Sequence, residues 1–174
     1  MQWTAITLNF ALFISILPLH AAAFGKPADA SCAALKELIA FVSAETDYAE
    51  LAVCPRIVSV DSRLLLSSLR FSDPENQNEA LAVYLPTENT IRVSTEVDLN
   101  SPMGRSFLVH ELVHALQFQS GAASSTPCLG ALEEEAYRLQ ADFLERAGLP
   151  QASLTYRLHA LVMASCGQAY HPEF

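Results

Sequence analysis

Positive charge is scarce in this 174-residue sequence: ten Lys and Arg stand against nineteen Asp and Glu, a formal net charge of -9. Neutralising a phosphate backbone needs a surplus of Lys and Arg, and no basic cluster interrupts the acidic balance, so nucleic acid is excluded as a partner. Charges of either sign are missing altogether from residues 1–23. No C-x-x-C pair occurs among the four cysteines, which removes support for a dithiol redox motif or a thiolate zinc site. Internal repeats are absent, and after residue 23 no segment is apolar enough to span a bilayer. What remains is a hydrophobic fraction of 51%, too high for a disordered, solvating chain. The length suits one domain, expected over residues 24–174.

The uncharged start is almost continuously apolar over residues 5–19, broken at Pro18 and followed by Ala21-Ala22-Ala23. It reads as a secretory signal peptide covering residues 1–23, which predicts export to the periplasm or medium. The rival reading is an uncleaved anchor, but the run is short for a bilayer span of ~20 residues. Export places Cys32, Cys54, Cys128 and Cys166 in an oxidising compartment, where an even number predicts two disulfides. Of the three connectivities, Cys32–Cys54 with Cys128–Cys166 is favoured, since each bond joins neighbouring segments. Four buried free thiols are the alternative.

Leu35, Leu38, Ile39 and Val42 recur at helical spacing and predict a helix after residue 28. Residues 57–60 read as a short strand, followed by a short helix capped by Asp61 or Ser62. Residues 72–79 are a polar loop. Two β-type runs, 80–85 and 90–94, flank Pro86-Thr87-Glu88-Asn89 and read as a hairpin. Ser101 fits an N-cap and Pro102 the first turn of a helix reaching about residue 119. A further helix is expected over 129–147, and a last one over 149–168 along Leu154, Leu158, Leu161 and Val162. The class is therefore α+β: a small antiparallel hairpin, then helices.

The helix over 102–119 carries His110-Glu111-Leu112-Val113-His114, an HExxH pattern. Histidines four apart share one helix face and can both reach one tetrahedral metal, expected to be a single Zn2+. Glu111 lies one position on, placed to act as general base toward metal-activated water. Apolar neighbours bury this helix, and buried histidines beside a carboxylate are costly unless paired or metal-bound. A third ligand is needed. The extended HExxHxxGxxH pattern fails at Gln117 and Ser120, and no Asp follows closely. A Glu on the next helix remains. By helix phase Glu133 ranks first, sharing its flank with Ala136 and Gln140. Glu135 ranks second, and Glu134 last, as an i,i+4 partner of Arg138.

The order of hairpin, HExxH helix and a helix with Glu133-Glu134-Glu135-Ala136 resembles the gluzincin branch of zinc metallopeptidases, in a minimal exported bacterial form. The resemblance covers about residues 80–147, and its E-x-x-A pattern also selects Glu133. It implies a zincin-like fold with His110, His114 and Glu133 as ligands and Glu111 as base. It also implies an oxyanion-stabilising residue, for which Tyr137, Tyr156 and His159 are candidates. In such a fold an extended peptide or protein substrate pairs with the strand before the motif helix, here residues 90–94. The connection over 120–127 is a cleft lid or a plain linker. The leading expectation is a zinc-dependent hydrolase cutting peptide bonds. The alternatives are a zinc-stabilised domain that binds peptides without cutting them and a structural protein with an accidental motif.

Overall fold

The computed structural model describes residues 28–49, 51–68 and 81–166. The expected signal segment, the polar loop over 72–79 and the tail from residue 167 lie outside the described residues. Helix α1 (Ala28–Ala44) turns Leu35, Leu38 and Val42 inward, the spacing that the sequence predicts. Strand β1 (Arg56–Val60) follows, then α2 (Ser62–Ser68), whose start is held by Asp61: Oδ1 accepts from the Arg63 N–H at 2.9 Å. Strands β2 (Ala82–Leu85) and β3 (Thr90–Ser94) form the expected hairpin through a 3-10 turn at Pro86–Glu88.

The sheet is mixed rather than a bare hairpin. Its order is β1-β3-β2, with β1 running parallel to β3 from Arg56↔Thr90 to Val60↔Ser94 and β2 antiparallel to it. This corrects one expectation. Residues 90–94 cannot receive a substrate strand, because β1 and β2 take the hydrogen-bonding groups on both sides of β3. Among the described residues, the free edge on the hairpin side belongs to β2.

Helix α3 (Pro102–Gln119) begins as the sequence predicts: Pro102 is in the first turn and the Ser101 side chain accepts from the Gly104 N–H at 3.0 Å. Apolar residues lie all round α3 rather than along one stripe, which suits a helix covered on every side. It packs against α1 and β2 and also against α4 (Leu129–Arg146). Leu108, Val109, Leu112, Val113 and Leu116 join the core with Ile91 and Val93 of the sheet and Leu139 of α4. Gly121, at φ 81, supplies the left-handed turn that ends α3. The connection over 120–127 is short and contains one 3-10 turn at Ala122–Ser124.

Helix α5 (Pro150–Met163) lies against α4. Their close approach requires Gly130, where a Cβ would come within 2.4 Å of the Met163 carbonyl oxygen. Both expected disulfides are present, Cys32–Cys54 and Cys128–Cys166, the second tying the start of α4 to the residues after α5. The apolar stripe that marks α5 in the sequence faces outward: Leu154, Leu158, Leu161 and Val162 are exposed, while Ser153 and Ala160 are buried. Small residues are what a helix pressed this closely against α4 can bury. Among the described residues no helix is long and apolar enough to cross a membrane.

Candidate metal centre

The α3–α4 pair puts three side chains at one point. His110 Nε2 and His114 Nε2, from successive turns of α3, lie 3.1 Å apart. Glu133, in the first turns of α4, places Oε2 3.2 Å from His110 Nε2 and Oε1 3.3 Å from His114 Nε2. Among the described residues these three form a group that could hold a metal ion. Their separations test the fit. Nitrogen and oxygen donors about 2.0–2.1 Å from a tetrahedral Zn2+ sit about 3.3 Å from one another, so the trio already makes one face of such a tetrahedron.

The remaining ring nitrogens fit as well. His110 Nδ1 lies 3.2 Å from Gln140 Oε1, and His114 Nδ1 lies 2.8 Å from Gln117 Oε1. The amide nitrogen of Gln140 donates to Ser106 Oγ at 3.1 Å, and that of Gln117 donates to Leu132 O and Glu135 Oε2, both at 3.0 Å. Each amide oxygen is thereby turned toward its histidine, so each Nδ1 is placed to donate, which would leave each Nε2 to bind a metal once its own proton is released. Outer partners of this kind are what metal-binding histidines have.

Electrostatics favour positive charge at the same point. Burial would raise the Glu133 carboxyl, but charged His114 and hydrogen bonds from both histidines hold it well below the usual carboxylate range. Burial would depress His114, yet the Glu133 carboxylate beside it outweighs that and pushes it up to about 9. Glu111 behaves differently. Its burial raises the carboxyl, opposed by the charges of His110 and His114. One of its oxygens is held by the backbone: Tyr84 N–H of β2 donates to Oε2 at 2.6 Å.

The three glutamates of α4 have separate surroundings. Glu133 joins the histidines. Glu134 lies 3.9 Å from Arg138, the i,i+4 pair that the sequence predicts. Glu135 is not in the group; Tyr48 Oη donates to its Oε2 at 2.6 Å. Of the oxyanion candidates, Tyr137 is nearest, its ring 4.5 Å from that of His110 in an edge-on contact. Tyr156 and His159 pack on Tyr137 from α5, at 6.0 and 5.3 Å. Sequence reasoning missed Gln117, the Tyr84 N–H and Tyr48. A signal for Gln117 was present: it is a polar residue on a helix buried all round, three positions after His114 and seven after His110.

A family model described as a domain of unknown function, DUF6647, matches residues 27–173, and the chain belongs to that family. No curated protein and no solved structure matches it.

Proposed function

We propose that this member of the DUF6647 family is an exported zinc-dependent hydrolase that cuts peptide bonds. The observation that carries the reading is the trio of donors 3.1 to 3.3 Å apart, with the buried carboxylate of Glu111 beside them. Three protein ligands suit a catalytic zinc, which keeps a position open, whereas a structural zinc closes its shell with four. His110, His114 and Glu133 hold the ion, which supplies Lewis acidity toward a carbonyl and makes water acidic enough to react near neutral pH. Glu111 does the proton work. Tyr84 fixes one carboxylate oxygen and leaves the other to take a proton from water and return it to the leaving amine. Burial raises the affinity of Glu111 for that proton, the direction a general base requires.

The substrate pairs with β2. The Leu81 carbonyl accepts from Ser94 N–H, so residues 81, 83 and 85 turn their groups toward β3 while Ala82 and Tyr84 turn theirs away. With the Tyr84 N–H engaged by Glu111, the Ala82 N–H and carbonyl and the Tyr84 carbonyl remain for an extended peptide. The two disulfides and the uncharged, apolar residues 5–19 support export through a cleaved signal.

Zinc analysis of purified protein and cleavage of a peptide library test the reading together. The expected result is about one zinc per chain, with Glu111→Gln keeping zinc but losing ~10²-fold or more in rate. Glu133→Gln loses zinc and activity alike, and Glu134→Gln changes neither. A Glu111→Gln variant that cuts as fast as wild type removes Glu111 from the chemistry. Full zinc with no cleavage by wild type assigns the site to a zinc-stabilised peptide-binding domain.

A further inference from the structure

In the α3–α4 interface a carboxylate and a carbonyl converge on one amide. Gln117 Nε2 donates to Leu132 O and to Glu135 Oε2, each at 3.0 Å, while Oε1 meets His114 Nδ1 at 2.8 Å. Neither a carbonyl nor a carboxylate can turn donor, and Gln117 is fully buried, so a misplaced amide finds no solvent to satisfy it. Turning the amide over would set Oε1 against two acceptors and point the NH2 at His114 Nδ1. That arrangement suits the other form of the imidazole, with its hydrogen on Nε2 and no lone pair facing Glu133.

We propose that Glu135 is a positioning residue that locks the tautomer of His114 through the Gln117 amide. The proposal rests on His114 being a metal ligand. His110 is an internal control, because its lock is weaker. Gln140 Nε2 donates to Ser106 Oγ, and that hydroxyl donates to Met103 O at 2.7 Å. A hydroxyl can rotate to donate toward a flipped amide; a carboxylate cannot. The competing explanation is that Glu135 is a structural tie. Tyr48 Oη donates to the same Oε2 at 2.6 Å, joining residue 48 to α4, and Arg138 Nη2 lies 3.9 Å from Oε1.

Two variants of the full chain separate the alternatives. Glu135→Gln offers Gln117 either a donor or an acceptor, so the lock is weakened to the Leu132 carbonyl alone while the shape stays. Tyr48→Phe breaks the tie and leaves the grip on Gln117. Two quantities are measured: zinc affinity by chelator competition, and the imidazole ¹⁵N shifts of zinc-free protein in alkaline buffer. Glu135→Gln is expected to weaken zinc binding about tenfold, the low end of what loss of an outer partner costs. It also populates the Nε2–H form of His114 while His110 is unchanged. Tyr48→Phe leaves both readings as in wild type. Should Glu135→Gln fail to fold, Glu135→Asp keeps the charge, loses the reach to Gln117 and gives the same shift in tautomer. The proposal is overturned if His114 keeps its Nδ1–H form in the Glu135 variant, or if Tyr48→Phe reproduces the loss of zinc. A wild type that binds no zinc defeats the metal reading instead, and the ¹⁵N shifts still decide the lock.

Discussion

Helices α3 and α5 are both rich in apolar residues, yet they spend them differently. Around α3 lie α1, the sheet and α4, and eleven of its residues are buried, Glu111 and His110 among them. Helix α5 rests on α4, buries only Ser153 and Ala160 completely, and leaves Leu161 70% and Val162 67% exposed. Apolar content therefore does not measure what a helix contributes; the number of layers around it does. For α3, burial on all sides makes unpaired polar groups expensive, which is why each polar side chain there has a specific partner. For α5, attachment comes from one face and from the Cys128–Cys166 bond.

That contrast can be broken in measurable ways. The largest effect is expected at the bond that holds α5. Cys128→Ser with Cys166→Ser opens a loop with a sequence separation of 38, for which chain entropy gives a loss of about 4 kcal/mol. Urea unfolding with and without reductant reads it, and an unchanged midpoint would mean that α5 docks without the bond. Next is Leu112→Ala in α3, fully buried, with an expected cost of about 3 kcal/mol in the same assay. A cost below about 1 kcal/mol would show that α3 can relax around the gap and is not boxed in.

A smaller effect belongs to the start of α3. Ser101→Ala removes the side chain that receives the Gly104 N–H and should cost about 1 kcal/mol by thermal unfolding. The smallest is Leu161→Ser on α5, expected to stay within about 0.5 kcal/mol. If it destabilises as much as Leu112→Ala, the outer face of α5 is covered in solution and the comparison fails.

Much of this was readable in the sequence because it is local. The Ser101-Pro102 start, the hairpin, the HExxH spacing and the phase of Glu133 each depend on residues a few positions apart. The parallel pairing of β1 with β3 was not readable, since it joins residues 56–60 to residues 90–94 and no short-range pattern announces it. The stripe on α5 marked the helix but not its setting, because helical periodicity reveals an apolar face without saying what covers it. At the site, the sequence pointed to the donors but not to their supports. Gln117 and Glu135 act through hydrogen bonds across the α3–α4 interface, and the Tyr84 N–H is a backbone group that any residue except proline would provide.

The trio His110, His114 and Glu133 sits on a single helical hairpin and needs contacts only between residues 110 and 133. Contacts around it reach farther along the chain: Tyr84 meets Glu111 across 27 positions, and Tyr48, a structural tie, meets Glu135 across 87. Contacts distant in the chain carry a higher closure entropy and on average form later. Folding order thus separates two capacities within one site. The cluster of donors needs the hairpin alone, whereas the hydrogen bond that holds the Glu111 carboxylate must wait until β2 has docked.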